Sequence, residues 1–320
     1  MKLATYKDGT RDGQLVVVSR DLSTAHYATG IASRMQQLLD DWDFISPQLQ
    51  DLYETLNNGK ARHAFPFDPA MCMAPLPRAF QYLRGAAYPS HAALLSQAAG
   101  VDAPEGLQLS QAASDHLLGA HEPVPCLQEK TGVDFGAALV VATGDVPQGA
   151  KADALEADLH LVMLANEVCL RHVTDAVQSQ PATAFAPVAV TRDELGDAWD
   201  HGTVHLTVQT AWNGRKVGMC DAGTDMAYTF GQLVAHACKT RALRAGTLVS
   251  TGVVSNAGQN QQWPKGYHSI AEKRAMETVL DGQASTDYLK LEDTVRMEVK
   301  GKDGQSVFGV IEQHVGSHTA

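Results

Sequence analysis

Pro66, Pro69, Pro75 and Pro77 crowd into one short stretch of the chain. Proline fixes φ and lacks an amide donor, so such a density excludes both helix and central strand. Residues 60–80 therefore read as a linker. It predicts a small N-terminal unit of residues 1–75 and a larger unit of residues 76–320. The length of 320 residues leaves room for a sizeable core in one large or two moderate domains.

Periodicity fills in the two units. Leu15-Val16-Val17-Val18 and the segment around Tyr27 are strand-like, with Asp8-Gly9 and Asp12-Gly13 as hairpin turns. Two helices follow. The second is predicted to start at an N-cap Ser46 with Pro47 at the first helical position. It carries Leu49, Leu52, Tyr53 and Leu56 and stops at Asn57-Asn58-Gly59. Beyond the prolines, Ala138–Thr143 and Leu161–Leu170 are apolar runs that predict buried strands. Val204, Leu206 and Val208 alternate with polar residues towards an Asn213-Gly214 hairpin turn. Val295, Met297 and Val299 alternate likewise and return, after Gly301–Gly304, through Val307–Ile311. Phe230, Leu233, Val234, Ala237 and Cys238 have helical spacing, and Ser269 with Glu272 has the pattern of a capping box. The elements mix without a βαβ rhythm or an internal repeat, which makes the class α+β.

Charge narrows the partners. Lys plus Arg number 25 against 36 Asp plus Glu, a net of −11, so a nucleic-acid or anionic-membrane surface is not expected. No run reaches the length of a membrane span, and the charged start has no signal-peptide apolar stretch. Five dispersed cysteines without a Cys-x-x-Cys pair fit free thiols in a reducing compartment. The expectation is a cytoplasmic protein.

Familiar catalytic motifs are missing. There is no Gly-x-Gly-x-x-Gly, Walker loop or Gly-x-Ser-x-Gly, and His121-Glu122 lacks the second His of a zinc-protease helix. Most of the 13 histidines stand singly, for which a structural or surface role is the plainer reading. Glu167, Cys169 and His172 form the densest group. On a strand Glu167 and Cys169 share one face and His172 takes the other, so a Cys–His nucleophile is not supported. His236 and Cys238 diverge on their predicted helix.

Other stretches carry more. Phe67-Asp68-Pro69-Ala70, Met73-Ala74-Pro75-Leu76-Pro77-Arg78, Gly132-Val133-Asp134-Phe135 and Pro181-Ala182-Thr183-Ala184-Phe185 appear in order. Gly223-Thr224-Asp225-Met226, Phe230-Gly231-Gln232-Leu233, Leu243-Arg244-Ala245-Gly246-Thr247, Ile270-Ala271-Glu272-Lys273-Arg274 and Phe308-Gly309-Val310-Ile311-Glu312 follow. Together they resemble the fumarylacetoacetate hydrolase family over nearly the whole chain. The resemblance implies a small N-terminal domain, a C-terminal domain built on a mixed β-roll, and a homodimer. It also implies cleavage, hydration, isomerisation or decarboxylation of diketo and related keto acids. In that family carboxylates hold Mg²⁺, Mn²⁺ or Ca²⁺ on the substrate's oxygens, and a His with a nearby Glu prepares water.

The departures from the family pattern lie at its site. Where the family has Glu-x-Glu on a strand, this chain has Gly136-Ala137-Ala138; the next ligand, an Asp, is Glu167. The catalytic His corresponds to His91, but Ala92-Ala93-Leu94 follow without its Glu. The Lys before Pro-Ala-Thr is Gln180, the Thr of a Gly-Thr turn is Val253, and Ser110-Gln111-Ala112-Ala113 replaces Tyr-x-Gly-Gly. These changes predict that no metal is held and no cofactor is needed. A standard Mg²⁺-dependent fumarylacetoacetase is not expected.

The first functional reading is metal-independent isomerase, cyclase, lyase or hydrolase chemistry on a small carboxylated substrate. Glu167 is then the acid or base, a buried carboxylate with no cation to shield it. His91 is a second proton carrier and Arg171 a carboxylate anchor. His116, His121 and Gln180 are further substrate contacts. A plainer role for Glu167 is an ion pair with Arg171, or a neutral buried acid. The second reading is a non-catalytic binding or scaffold subunit, and the third an ordinary metal-dependent hydrolase with replacement ligands.

Overall fold

The computed structural model describes residues 1–126, 128–257 and 266–316. The N-terminal part forms an antiparallel β1 (Lys2–Tyr6), β2 (Gln14–Val18) and β3 (Thr24–Tyr27), then α1 (Met35–Asp40), α2 (Trp42–Asn57) and a two-residue β4 (Phe65–Pro66). Next come β5 (Tyr82–Gly85), α3 (Pro89–Ala99), β6 (Leu109–Ala112), β7 (Val124–Pro125), β8 (Val133–Asp134) and β9 (Ala137–Thr143). They lead to β10 (Leu159–Leu170), β11 (Ala182–Phe185), β12 (Ala189–Thr191) and α4 (Arg192–Leu195). The rest comprises β13 (Trp199–Asp200), β14 (Thr203–Val204), β15 (Thr207–Trp212), β16 (Arg215–Asp221), α5 (Phe230–Ala237) and β17 (Leu248–Ser250). It ends with α6 (Ile270–Asp281), β18 (Thr294–Lys300) and β19 (Ser306–Gly316).

A 12-stranded sheet runs β4-β3-β2-β1-β12-β10-β9-β17-β5-β6, with β11 and β8 also paired to β10. A 5-stranded sheet runs β16-β15-β18-β19-β7. β10 is central, and its near-continuous apolar run has a direct cause: both of its faces are covered. Val162, Leu164 and Val168 enter one apolar cluster, to which the second sheet adds Val208, Met297 and Ile311. Leu161, Met163 and Ala165 enter another, to which α1 and α2 add Leu38, Leu49 and Tyr53. The α+β class holds, with α1 and α2 on one side of the large sheet and the second sheet on the other, where Phe230 and Leu233 of α5 and Ile270 of α6 join its cluster.

Two local expectations change. The proline-rich stretch is not a free linker. Met73 N donates to Thr5 O and Lys7 N to Met71 O, each at 2.9 Å, while Ala74 and Leu76 are buried. Its Pro66 sits on the outermost strand, where a missing donor is tolerated. The N-terminal hairpin, moreover, joins the large sheet through β1 and β12. Helix α2 also begins earlier than Ser46, so Pro47 lies inside it. The added turn is held by Trp42, stacked on His160 at 4.1 Å, and by buried Ile45, which together offset one lost helical hydrogen bond. The Asn213-Gly214 hairpin forms as expected, with φ of 49° and 73°.

Among the described residues no helix is long and apolar enough to cross a membrane, and all five cysteines are free thiols.

Gly252 follows β17 at a tight crossing. Its φ is +72°, and a Cβ there would lie 2.0 Å from the Gly85 carbonyl oxygen. Gly252→Ala should therefore lower the unfolding free energy by about 3 kcal/mol, from backbone strain and overlap together. Urea denaturation measures it.

Candidate functional site

Alternation along β10 places Glu167 on the same face as Ala165, and its neighbours leave it 3% exposed. Tyr82 and Arg84 come from β5, and Ser250 ends β17. Tyr82 Oη donates to Glu167 Oε1 at 2.5 Å, and Ser250 Oγ donates to the same oxygen at 2.6 Å. Arg84 Nε lies 3.6 Å from it. Glu167 pairs with Gly136 across the sheet, whereas Ser250 is opposite Val140. The carboxylate must therefore cross over Ala138, whose methyl group leaves it room.

Arg84 is as buried as its partner. Its Nη atoms donate to Val168 O, Ala182 O at 3.1 Å, Thr183 Oγ1 at 3.0 Å and Cys169 Sγ at 3.2 Å. Burial pushes its pKa down, but the Glu167 charge prevails and holds it above the ordinary value. Burial, followed by the charge of Glu167, pushes the Tyr82 phenol well up, so Tyr82 acts as a donor rather than an acid. Glu167 and Cys169 do share one face, and Arg84 joins them.

Arg171 is elsewhere, which corrects the expected pairing with Glu167. β10 ends at Leu170, and Arg171 Nε donates to Asp134 Oδ2 at 2.9 Å. Asp134, wholly buried, also accepts the Ile270 and Ala271 amides at the start of α6. Gln180 approaches β6, the strand beside that of Arg84: its Nε2 lies 3.4 Å from Ser110 Oγ, and Ser110 pairs with Arg84. Gln180 Oε1 is buried with no hydrogen-bond partner. His116 and His121 are exposed.

His91 has not lost its carboxylate. Its Nδ1 lies 3.4 Å from Glu272 Oε1, on a helix 181 residues further along the chain. Ser255 Oγ donates to Glu272 Oε1 at 2.5 Å and the His268 amide to Oε2 at 3.2 Å. Only half of the expected capping box forms: Ser269 Oγ accepts the Glu272 amide, while the Glu272 carboxylate turns to His91 and Ser255. Burial pushes the Glu272 carboxyl up, but the bonds from His91 and Ser255 and the nearby imidazoles bring it below its usual value. His268 itself is wholly buried. Cys220 N donates to its Nε2 at 3.2 Å, so the proton on Nδ1 faces Thr210 Oγ1 at 2.7 Å. Burial pushes its pKa down to about 4.

Arg84, Tyr82, Ser250 and Ser255 were not among the sequence candidates. A signal existed for Arg84, a lone charge two residues from Tyr82 in a strand-like segment. At Gly136, an added Cβ would lie 2.9 Å from Glu167 O and 3.1 Å from Val253 Cγ2. Among the described residues no three His, Cys, Asp or Glu side chains gather to hold a metal ion.

Two family models match the chain: "Fumarylacetoacetase N-terminal domain 2" over residues 1–78 and "Fumarylacetoacetate (FAA) hydrolase C-terminal" over residues 81–316. A fumarylacetoacetate hydrolase from Exiguobacterium antarcticum superposes with a TM-score of 0.70 at 15% identity, covering 99% of this chain and 100% of that one. A probable 2-hydroxyhepta-2,4-diene-1,7-dioate isomerase from Mycobacterium abscessus gives 0.68 at 17% identity, with full coverage of both chains. Maleylpyruvate hydrolase from Sphingobium sp. SYK-6, solved with manganese(II) and pyruvate, gives 0.65 at 14%, again over both whole chains. No curated protein matches the chain.

Two measurements probe this geometry. Glu167→Gln leaves Arg84 buried without its anion and should lower the unfolding free energy by about 3 kcal/mol or more in urea denaturation. His268 excludes, in the folded state, a proton that the unfolded chain takes up below about pH 6.5. Its contribution should be full above that pH and fall away by about 3 kcal/mol as pH drops towards 4. His268→Gln should flatten that part of the stability–pH curve.

Proposed function

Because this chain belongs to the fumarylacetoacetate hydrolase family, we propose that it performs acid–base chemistry on a small carboxylated substrate without a divalent ion. His91 is the proton carrier and Glu272 its orienting partner. The observation that carries this reading is a buried carboxylate facing an imidazole that keeps contact with solvent, at 2% and 14% exposure.

With Glu272 on Nδ1, the His91 Nε2 is the atom that takes a proton from a carbon beside a carbonyl and returns it elsewhere. Glu272 stabilises the imidazolium formed in between. Its place in the first turn of α6 favours the anion, and Ser255 and the His268 amide hold it in position. The substrate class is supported by the maleylpyruvate hydrolase and the dioate isomerase, whose names denote small carboxylated molecules. Isomerase or lyase chemistry suits a site whose working groups move protons. Gln180, with an unpaired buried oxygen, is the substrate contact retained from the sequence candidates. The assembly we propose is a homodimer.

The residues present do not fit a carboxylate-held divalent ion. Gly136 and Ala138 offer no side-chain oxygen, Val253 takes the space beside Gly136, and Oε1 of Glu167 is taken by Tyr82 and Ser250, with Arg84 beside it. One carboxylate is too few for a hard cation that takes about six oxygens. Glu167 thereby moves from catalysis to charge balance, and Arg171, held by Asp134, leaves the anchor role. The filling of the Gly136 space by Val253 also favours a second reading, a binding subunit without catalysis.

Deuterium exchange into pyruvate and a panel of 2-oxo dicarboxylates, followed by NMR with a chelator present, separates these readings. The unaltered protein should accelerate exchange. His91→Asn should reduce the rate roughly 10²-fold, the scale of a general acid–base group, and Glu272→Gln by about 10-fold or more. Turnover that appears only with Mn²⁺ would restore the metal hydrolase. Inactivity under every condition would leave the binding subunit.

A further inference from the structure

We infer that the Arg84 guanidinium is a tethered cation that takes the place of a bound metal ion at the Glu167 carboxylate. This rests on the reading of a site without a divalent ion, but not on which reaction the protein performs. Glu167 is 3% exposed, and a carboxylate so deeply buried needs a positive partner or must give up its charge. The structure supplies one: Arg84, 6% exposed, with its Nε 3.6 Å away.

The surroundings of the guanidinium are those of a cation site. Val168 O, Ala182 O, Thr183 Oγ1 and Glu167 Oε1 converge on it, four oxygens of the kind that suit a hard ion, and Cys169 Sγ closes the ring. Arginine meets so many acceptors because its N–H groups form a planar fork. Charge matching points the same way. With Gly136 and Ala138 beside it, Glu167 brings a single negative charge, which one guanidinium balances. A divalent ion there would leave a buried positive charge unopposed. The tethered cation also has no exchangeable water, so it cannot activate one, and the chemistry falls to His91 and Glu272.

The test reads binding and stability, so it can fail while the exchange assay succeeds, and the reverse. The unaltered protein, titrated with Mn²⁺ by calorimetry and electron paramagnetic resonance, should bind none at Glu167 and show no shift in Tm. Arg84→Ser should lower Tm by roughly 5 °C or more. Millimolar guanidinium, far below denaturing levels, or Mn²⁺ should restore part of that loss. In Arg84→Ser/Glu167→Gln both rescues should vanish, because the added cation has lost its carboxylate. If Arg84→Ser does not fold, Arg84→Met/Glu167→Leu carries the test. Removing both charges should recover folded protein where either single change loses it. One Mn²⁺ per unaltered chain, abolished by Glu167→Gln, would overturn the inference. So would an Arg84→Ser protein as stable as the parent and indifferent to both cations, or a double variant no better than its singles.

Discussion

The buried pair of Arg84 and Glu167 is the interaction on which the centre of the large sheet depends. Glu167 draws Tyr82 from β5 and Ser250 from β17, while Arg84 reaches carbonyls on β10 and β11. Four strands are thus tied through two side chains. Such a pair adds little net stability over an apolar substitute. Its effect is on register, since a one-residue slip of β10 would turn Glu167 onto the opposite, apolar face.

One segment serves both carboxylates of the site. Ser250 donates to Glu167 and Ser255 to Glu272, with Gly252 and Val253 between them. The half of the site built on α3 and α6 keeps an imidazole and a carboxylate in contact. The half built on β5, β9 and β10 is closed by small residues, a valine and an arginine. The first half keeps a little contact with solvent at His91, and the second is a charge-balanced, solvent-poor interior.

Much of the fold could be read from the chain. The Asn213-Gly214 turn, the alternation around Met297 and the run through β10 each follow from local geometry. The site was less legible because its decisive contacts are long-range. His91 has no carboxylate among its chain neighbours at 92–94, yet its partner is Glu272. Glu272 carried a local explanation as a capping residue, and half of that explanation is true, which hid the rest. Glu167 is legible as a buried carboxylate, but its pairing with Arg84 instead of the expected Arg171 turns on where β10 ends. Pro47 misled because proline is a better guide to the first turn of a helix than to what tertiary packing allows there.

The tight fit at Gly136 constrains the order in which this chain could change. A Cβ at 136 would lie 2.9 Å from the Glu167 carbonyl oxygen, which a smaller residue at 253 does not relieve, and 3.1 Å from Val253 Cγ2, so backbone and side chain would both have to give way. Shrinking Val253 first would open a cavity between two buried carboxylates without supplying anything to fill it. A larger residue at 136 and a smaller one at 253 are therefore each unfavourable alone. The packing couples the two positions, so the cost of changing either depends on what stands at the other.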